Sequence, residues 1–163
     1  MFQLYLKEKY NLQADFLKTA STNCGNNVTN VLVLAKENDL PTKRIIVMQD
    51  TTMQRRMHTV FRKESLASQI INYATYQNHI VVSDNRLVFE AQPTGMWTLE
   101  HFVTLLMGEV PRITDDENDY GPKGKNYLAH VDVPQNVAEV FEYLKKFNPE
   151  AVRTANPAFA TKK

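Results

Sequence analysis

Lys43-Arg-Ile-Ile-Val-Met-Gln-Asp50-Thr-Thr-Met-Gln-Arg-Arg56 runs from an apolar tetrad into a polar turn and then into a helical pattern. Ile45, Ile46, Val47 and Met48 are apolar without alternation, the pattern of a parallel strand covered by helices on both faces. Thr51 or Thr52 can cap the helix that follows. The free backbone N–H groups at its start, with Arg55 and Arg56 one turn on, favour an anion or a polar ligand. Ligands of open α/β sheets bind outside the carboxyl ends of the strands, so a polar turn here is a candidate binding site. Ordinary capping beside surface arginines explains the same residues equally well.

Upstream, Phe2, Tyr5, Leu6 and Tyr10 fall at roughly helical spacing, and Ala14 to Lys18 reads as a weakly signalled short strand. Thr19 to Asn27 is a turn rich in hydroxyls and amides. Val28, Val31, Leu32 and Ala35 then mark one buried helical face, closed by Asn38-Asp39 and Pro41. Strand, polar turn and helix, twice over, argue for a parallel sheet with right-handed crossovers.

Downstream of the quoted stretch, Met53, Met57, Val60 and Phe61 form the inner side of the helix, and Ile70, Ile71 and Tyr73 can pack beyond it. His79–Ser83 and Arg86–Glu90 are both candidate strands, of which only one is expected to be real. Leu99, Phe102, Val103 and Leu106 make a helical stripe ending at Gly108 and Pro111, with Trp97 anchoring its start. Asp115 to Lys125 is a loop, Tyr127 to Val133 alternates as a strand does, and Pro134 opens a last helix with Val137, Val140, Phe141 and Leu144 inward. Residues 1–150 are read as a single domain and 151–163 as a frayed tail. So few strands leave a fully apolar strand short of neighbours: the sheet is small, or part of it comes from elsewhere.

The chain has 163 residues, 43% of them hydrophobic, and a net charge of +1 from 19 Lys+Arg and 18 Asp+Glu. That suits one domain with a core and gives no basic block to expect nucleic acid or an anionic membrane surface. No apolar run approaches a spanning helix, and Met1 to Tyr10 lacks a signal-peptide pattern, so no membrane insertion and a cytoplasmic location are expected. The single cysteine, Cys24, excludes an internal disulfide and a cysteine-rich zinc site. His58, His79, His101 and His130 are scattered without a ligand spacing, and Asp115, Asp116, Glu117 and Asp119 lack the glycine and final glutamate of a calcium loop. No metal is expected.

Three blocks in order, Ser21-Thr-Asn-Cys-Gly-Asn-Asn27, Gln49-Asp-Thr-Thr-Met-Gln-Arg-Arg56 and Tyr120-Gly-Pro-Lys-Gly-Lys125 with His130-Val-Asp132, resemble the YdcF-like proteins. These form the cytosolic branch of a bacterial superfamily that also holds the envelope proteins SanA and ElyC. The resemblance runs from the first helix to about Leu144. It implies a Rossmann-like three-layer α/β domain with a mainly parallel sheet and an α-rich C-terminal extension, and S-adenosylmethionine as ligand. No reaction is implied. Carried over by position, Ser21, Thr22, Asn23 and Asn27 belong to the first polar turn. Asp50, Thr52, Gln54, Arg55 and Arg56 belong to the second, with Met53 where much of the superfamily has histidine. Tyr120 and Lys123, with Lys125, are expected to close over the crevice or to pin the C-terminal part.

The family pattern begins about one hundred residues earlier, with two strands ending in glycine-rich turns, and this chain is expected to represent its C-terminal part. The family also has glutamates where Lys18 and Asn26 stand here, which removes two carboxylates able to act as acid, base or ribose ligand. Two expectations follow. One is a crevice binding a nucleoside-containing small molecule; the other is a non-catalytic or degenerate binding or regulatory module, linked to envelope maintenance. An incomplete sheet further predicts a homodimer or a missing half supplied by another chain.

Overall fold

In the computed structural model, which describes residues 2–152, β1 (Arg44–Gln49) and β2 (Gln69–Ala74) lie side by side and parallel, joined by α3 (Thr51–Glu64). Preceding them are α1 (Phe2–Tyr10) and α2 (Cys24–Glu37). After them come an antiparallel hairpin of β3 (Ile80–Ser83) and β4 (Arg86–Phe89), then α4 (Leu99–Ile113), α5 (Gln135–Phe147) and a 3-10 turn over Pro149–Ala151. The architecture is mixed α/β with one parallel pair.

α3 is the central element. It packs on α2, α4, β1 and β2, because Met57, Val60 and Phe61 recur at helical spacing and are all buried. They meet Val28 of α2, Val47 of β1, and Leu128 and Val131 from the irregular chain before α5. A second cluster joins Met107 of α4, Phe141 of α5 and Ala151.

Several expectations are corrected. The apolar run of β1 is not buried on both faces. Ile45 and Val47 point into the core, whereas Ile46 and Met48 are 65% and 64% exposed and lie in register with Ile71 and Tyr73 of β2, 40% and 58% exposed. The helix layer of α2 and α3 packs on the inner face alone. Ala14 to Lys18 forms no strand: it is irregular and mostly exposed, with no neighbouring strand to pair its backbone. Tyr127 to Val133 forms none either. Its buried residues, Leu128 and Val131, are three apart rather than two, as in a strap that dips into the core twice.

Both candidate segments of the hairpin are strands. Asp84 and Asn85 take φ of 50° and 58° between them, the left-handed pair that a two-residue turn needs to match strand twist. α4 does not stop at Gly108 but continues through Pro111. The Arg112 guanidinium donates back to the Gly108 carbonyl, and Thr114 bonds the Val110 carbonyl through its N–H and its hydroxyl, so the last turn holds without the proline N–H. Of the α5 stripe only Phe141 is buried; Val137, Val140 and Leu144 stay exposed because the helix touches only α4 and the 3-10 turn. Ala151, assigned to the tail, is buried against Met107 and Phe141. Residues 153–163 of that tail lie outside the described residues.

Candidate functional site

The turn after β1 is organised by one carboxylate. Asp50, not Thr51 or Thr52, is the N-cap of α3: its Oδ1 accepts from the Thr52 N–H at 2.9 Å and from the Thr52 hydroxyl at 2.7 Å. The Asp50 N–H donates to Gln49 Oε1 at 2.8 Å. Two distant aromatic residues complete the set. Tyr76, just beyond β2, donates its hydroxyl to both carboxylate oxygens at 3.1 Å, and Trp97, before α4, donates Nε1–H to Oδ2 at 2.8 Å. Burial works against the Asp50 charge, but the bonds from Thr52, Trp97 and Tyr76 together outweigh it and hold the carboxyl below its ordinary range. Tyr76 is pushed up to about 12, first by burial and then by donating to the Asp50 anion, so the phenol stays protonated.

Around this carboxylate opens a cleft of about 330 Å³. It lies outside the carboxyl ends of both parallel strands, walled by Asp50 on one side, Thr75 and Tyr76 on another, and the Pro93–Trp97 segment across from them. Trp97 remains 44% exposed, and its ring sits 4.8 Å from that of His101 on the first turn of α4. The cleft therefore combines a fixed anion, a phenol and an indole face.

Of the residues expected from sequence, Asp50 alone lines this cleft; Thr52 reaches it indirectly, as the donor to Asp50. Gln54 is buried beneath the strands, donating to the Val47 carbonyl at 3.1 Å and to Asn72 Oδ1 at 2.9 Å, with its own Oε1 buried and taking no hydrogen bond. Asn72 in turn meets His58 Nδ1 at 2.8 Å. Arg55 is exposed, and together with Arg62 and burial, the largest influence, it lowers the His58 pKa. Arg56 is engaged elsewhere: its guanidinium forks onto Glu109 of α4 at 2.6 and 2.8 Å, both side chains nearly buried. That pair clamps α3 to α4.

The first polar turn is a helix start. Asn23 caps α2 by accepting the Asn26 N–H at 2.9 Å, while Asn26 Oδ1 accepts the Asn23 N–H and the Thr22 N–H, each at 3.0 Å, a reciprocal capping box. Asn26 Nδ2 also donates to the Thr22 hydroxyl, Asn30 Nδ2 reaches Ser21 Oγ, and the Asn27 N–H joins the helix ladder at the Asn23 carbonyl. Asn26 is thus a capping residue. Cys24 is the first residue of α2, half-buried against the main core.

The third block folds on itself. Asp115 accepts the Lys123 N–H at 2.8 Å through Oδ1 and meets His130 Nδ1 at 2.6 Å through Oδ2, and His130 Nε2 lies 3.0 Å from Asp132. The Lys123 N–H and then His130 hold the Asp115 carboxyl below its usual range, and the two carboxylates raise the His130 pKa. Gly121 and Gly124 are required by close approach. A Cβ on Gly121 would lie 2.4 Å from Asp115 Oδ1, and one on Gly124 2.4 Å from the Asp119 carbonyl oxygen. Tyr120 stacks edge-on against Tyr127 and sits under Lys125. Beside this loop, Asp119 is pushed up to about 6, by burial first and then by Asp116, with Lys125 opposing.

The cleft residues beyond Asp50 escape a reading by motif because they lie on two segments separated from it along the chain. Tyr76 carries one available signal: it follows β2 as Asp50 follows β1, and the same carboxyl-end rule applies to it once β2 is recognised.

Among the described residues there is no group of three or more His, Cys, Asp or Glu placed to hold a metal ion, and no helix long and apolar enough to cross a membrane. No family model matches the chain.

Proposed function

We propose that this chain is a cytoplasmic, YdcF-like α/β protein of Rossmann-like three-layer type that binds a nucleoside-containing small molecule, such as S-adenosylmethionine, in the Asp50 cleft. The observation that supports this reading is the position of Asp50. It stands at the carboxyl end of a parallel strand, ionised, with two aromatic donors gathered on it from beyond β2 and before α4. An acidic side chain near the carboxyl end of a strand is the group that receives ribose hydroxyls in dinucleotide-binding folds. Trp97 and Tyr76 supply apolar faces for a base, and a cleft of about 330 Å³ is at the small end of ligand sites, suited to one nucleoside moiety. In this reading the ligand hydroxyls share or replace the Trp97 and Tyr76 bonds to Asp50. Residues 21–27 shape the start of α2 rather than the ligand contact.

The test is a thermal melt with and without S-adenosylmethionine. A ligand that binds the folded form alone stabilises it by about 2.7 kcal/mol at one hundred times its dissociation constant. The midpoint is expected to rise for the natural sequence and to stay fixed for the Asp50→Ala variant. An unmoved midpoint for the natural chain, with adenosine also inert, refutes the proposal.

A second reading, a binding or regulatory module without catalysis, draws on two placements: Asn26 is occupied in a capping box, and the Arg56 fork is filled by Glu109. It predicts ligand binding without turnover of the ligand over hours of incubation.

A further inference from the structure

Two apolar surfaces are exposed among the described residues, and they suit each other. The first is the outer face of the parallel pair, where Ile46, Met48, Ile71 and Tyr73 form a two-by-two patch across registered strands. The opposite face carries the whole helix layer, yet parallel strands are ordinarily covered on both sides. The second is the N-terminal arm. α1 makes no extensive contact with any other described helix or strand, and Leu4, Tyr5, Tyr10, Leu12, Phe16 and Leu17 are each between 42% and 61% exposed along it. Large apolar side chains in such density on a segment without extensive contacts to the other described helices and strands mark an interaction surface rather than ordinary surface scatter.

We propose that the arm of one copy covers the outer sheet face of a second copy, reciprocally, giving a two-fold dimer with exchanged N-terminal arms. Three considerations select a second copy as the occupant. The arm and the face sit on the same chain, and among the described residues both are exposed, so two copies satisfy both surfaces at once. Residues 18–23, beyond the last arm side chain, lead into α2 without helix or strand and span about 20 Å when extended, enough for exchange between neighbouring copies. The area also matches. At roughly 100 Å² for each of the six arm and four face side chains, one arm-on-face contact removes on the order of 1,000 Å². Its two-fold mate doubles that to about 2,000 Å², the upper end of a standard specific interface. The pairing is independent of the Asp50 cleft, which opens at the strand ends and not on their outer face.

Sedimentation of the full chain at micromolar concentration is the first measurement, with a dimer expected. A Leu12→Asp, Phe16→Asp variant and an Ile46→Thr, Tyr73→Thr variant are each expected to be monomeric under the same conditions. All four side chains are exposed, so both variants should keep cooperative melts. The exchange itself is read by oxidation in a Cys24→Ser background. A Phe16→Cys chain mixed with a Tyr73→Cys chain of different mass should give mixed covalent dimers in preference to either like pair. A monomeric natural chain overturns the proposal. So does a dimer that survives the arm substitutions, or a Tyr73→Cys chain that pairs chiefly with itself, which would mean sheet face on sheet face.

Discussion

Asp50 and Asp115 are both aspartates in turns, both gather donors from distant segments, and both have carboxyls held below the ordinary range. Their surroundings differ. Asp50 takes the Thr52 N–H and hydroxyl and two aromatic side-chain donors, Tyr76 and Trp97, which line an open cleft. Asp115 collects a backbone N–H and His130, and its loop closes over it so tightly that Gly121 and Gly124 leave no room for a Cβ. A carboxylate with two side-chain partners beside free volume can exchange them for a ligand. One held by a loop N–H and His130, where the packed loop leaves no such volume, holds that loop in place.

The comparison breaks first at Gly124. A methyl group there must displace the Asp119 and Asp116 carbonyls, both backbone atoms, so Gly124→Ala is expected to cost about 3 kcal/mol, readable as a lower denaturant midpoint. The protein that remains folded should bind the cleft ligand as before. Asp50→Ala should show the reverse pattern. Loss of the cap costs about 1 kcal/mol, a smaller stability effect, while the ligand-induced midpoint shift disappears.

The smallest effect is in pH. Asp50 has a lowered pKa, so its stabilising contribution is present above the unfolded carboxyl value of about 4 and is lost as pH falls through the folded value. His130 has a raised pKa, so its contribution is full below about 6.5 and fades as pH rises through the folded value. Melts from acid to mildly alkaline pH should therefore show Asp50→Ala flattening the acid limb and His130→Asn flattening the upper one. Asp119, titrating near pH 6, is common to both variants and drops out of the difference from the natural chain. His130 is half exposed and its pairs are screened, so its limb should be shallow and weaken with salt.

What was legible from the chain alone was local. The β1 run, the α3 stripe of Met57, Val60 and Phe61, the helix starting near Asn23 and the proline-opened α5 all follow from apolar period and end signals, forces acting within a few residues. The same signals marked the polar turn that holds Asp50, although they gave the cap to Thr51 or Thr52 and Asp50 itself entered through the resemblance. What failed depended on partners. Tyr127 to Val133 alternates like a strand, yet no strand lies beside it and its backbone follows the core instead. Arg56 looks like a ligand cation until Glu109, fifty-three positions later, is brought against it.

The tertiary structure alone placed Tyr76 and Trp97 on Asp50, because three stretches separated along the chain converge only when β1, β2 and α4 are packed around α3. It also decided which face of β1 is buried. Four consecutive apolar residues say that a strand has somewhere to go on both sides. Only the packed chain shows that α2 and α3 cover one side, with Ile46, Met48, Ile71 and Tyr73 left open on the other. Period and propensity are properties of neighbours in sequence. Burial and convergence belong to neighbours in space, which the chain acquires by folding.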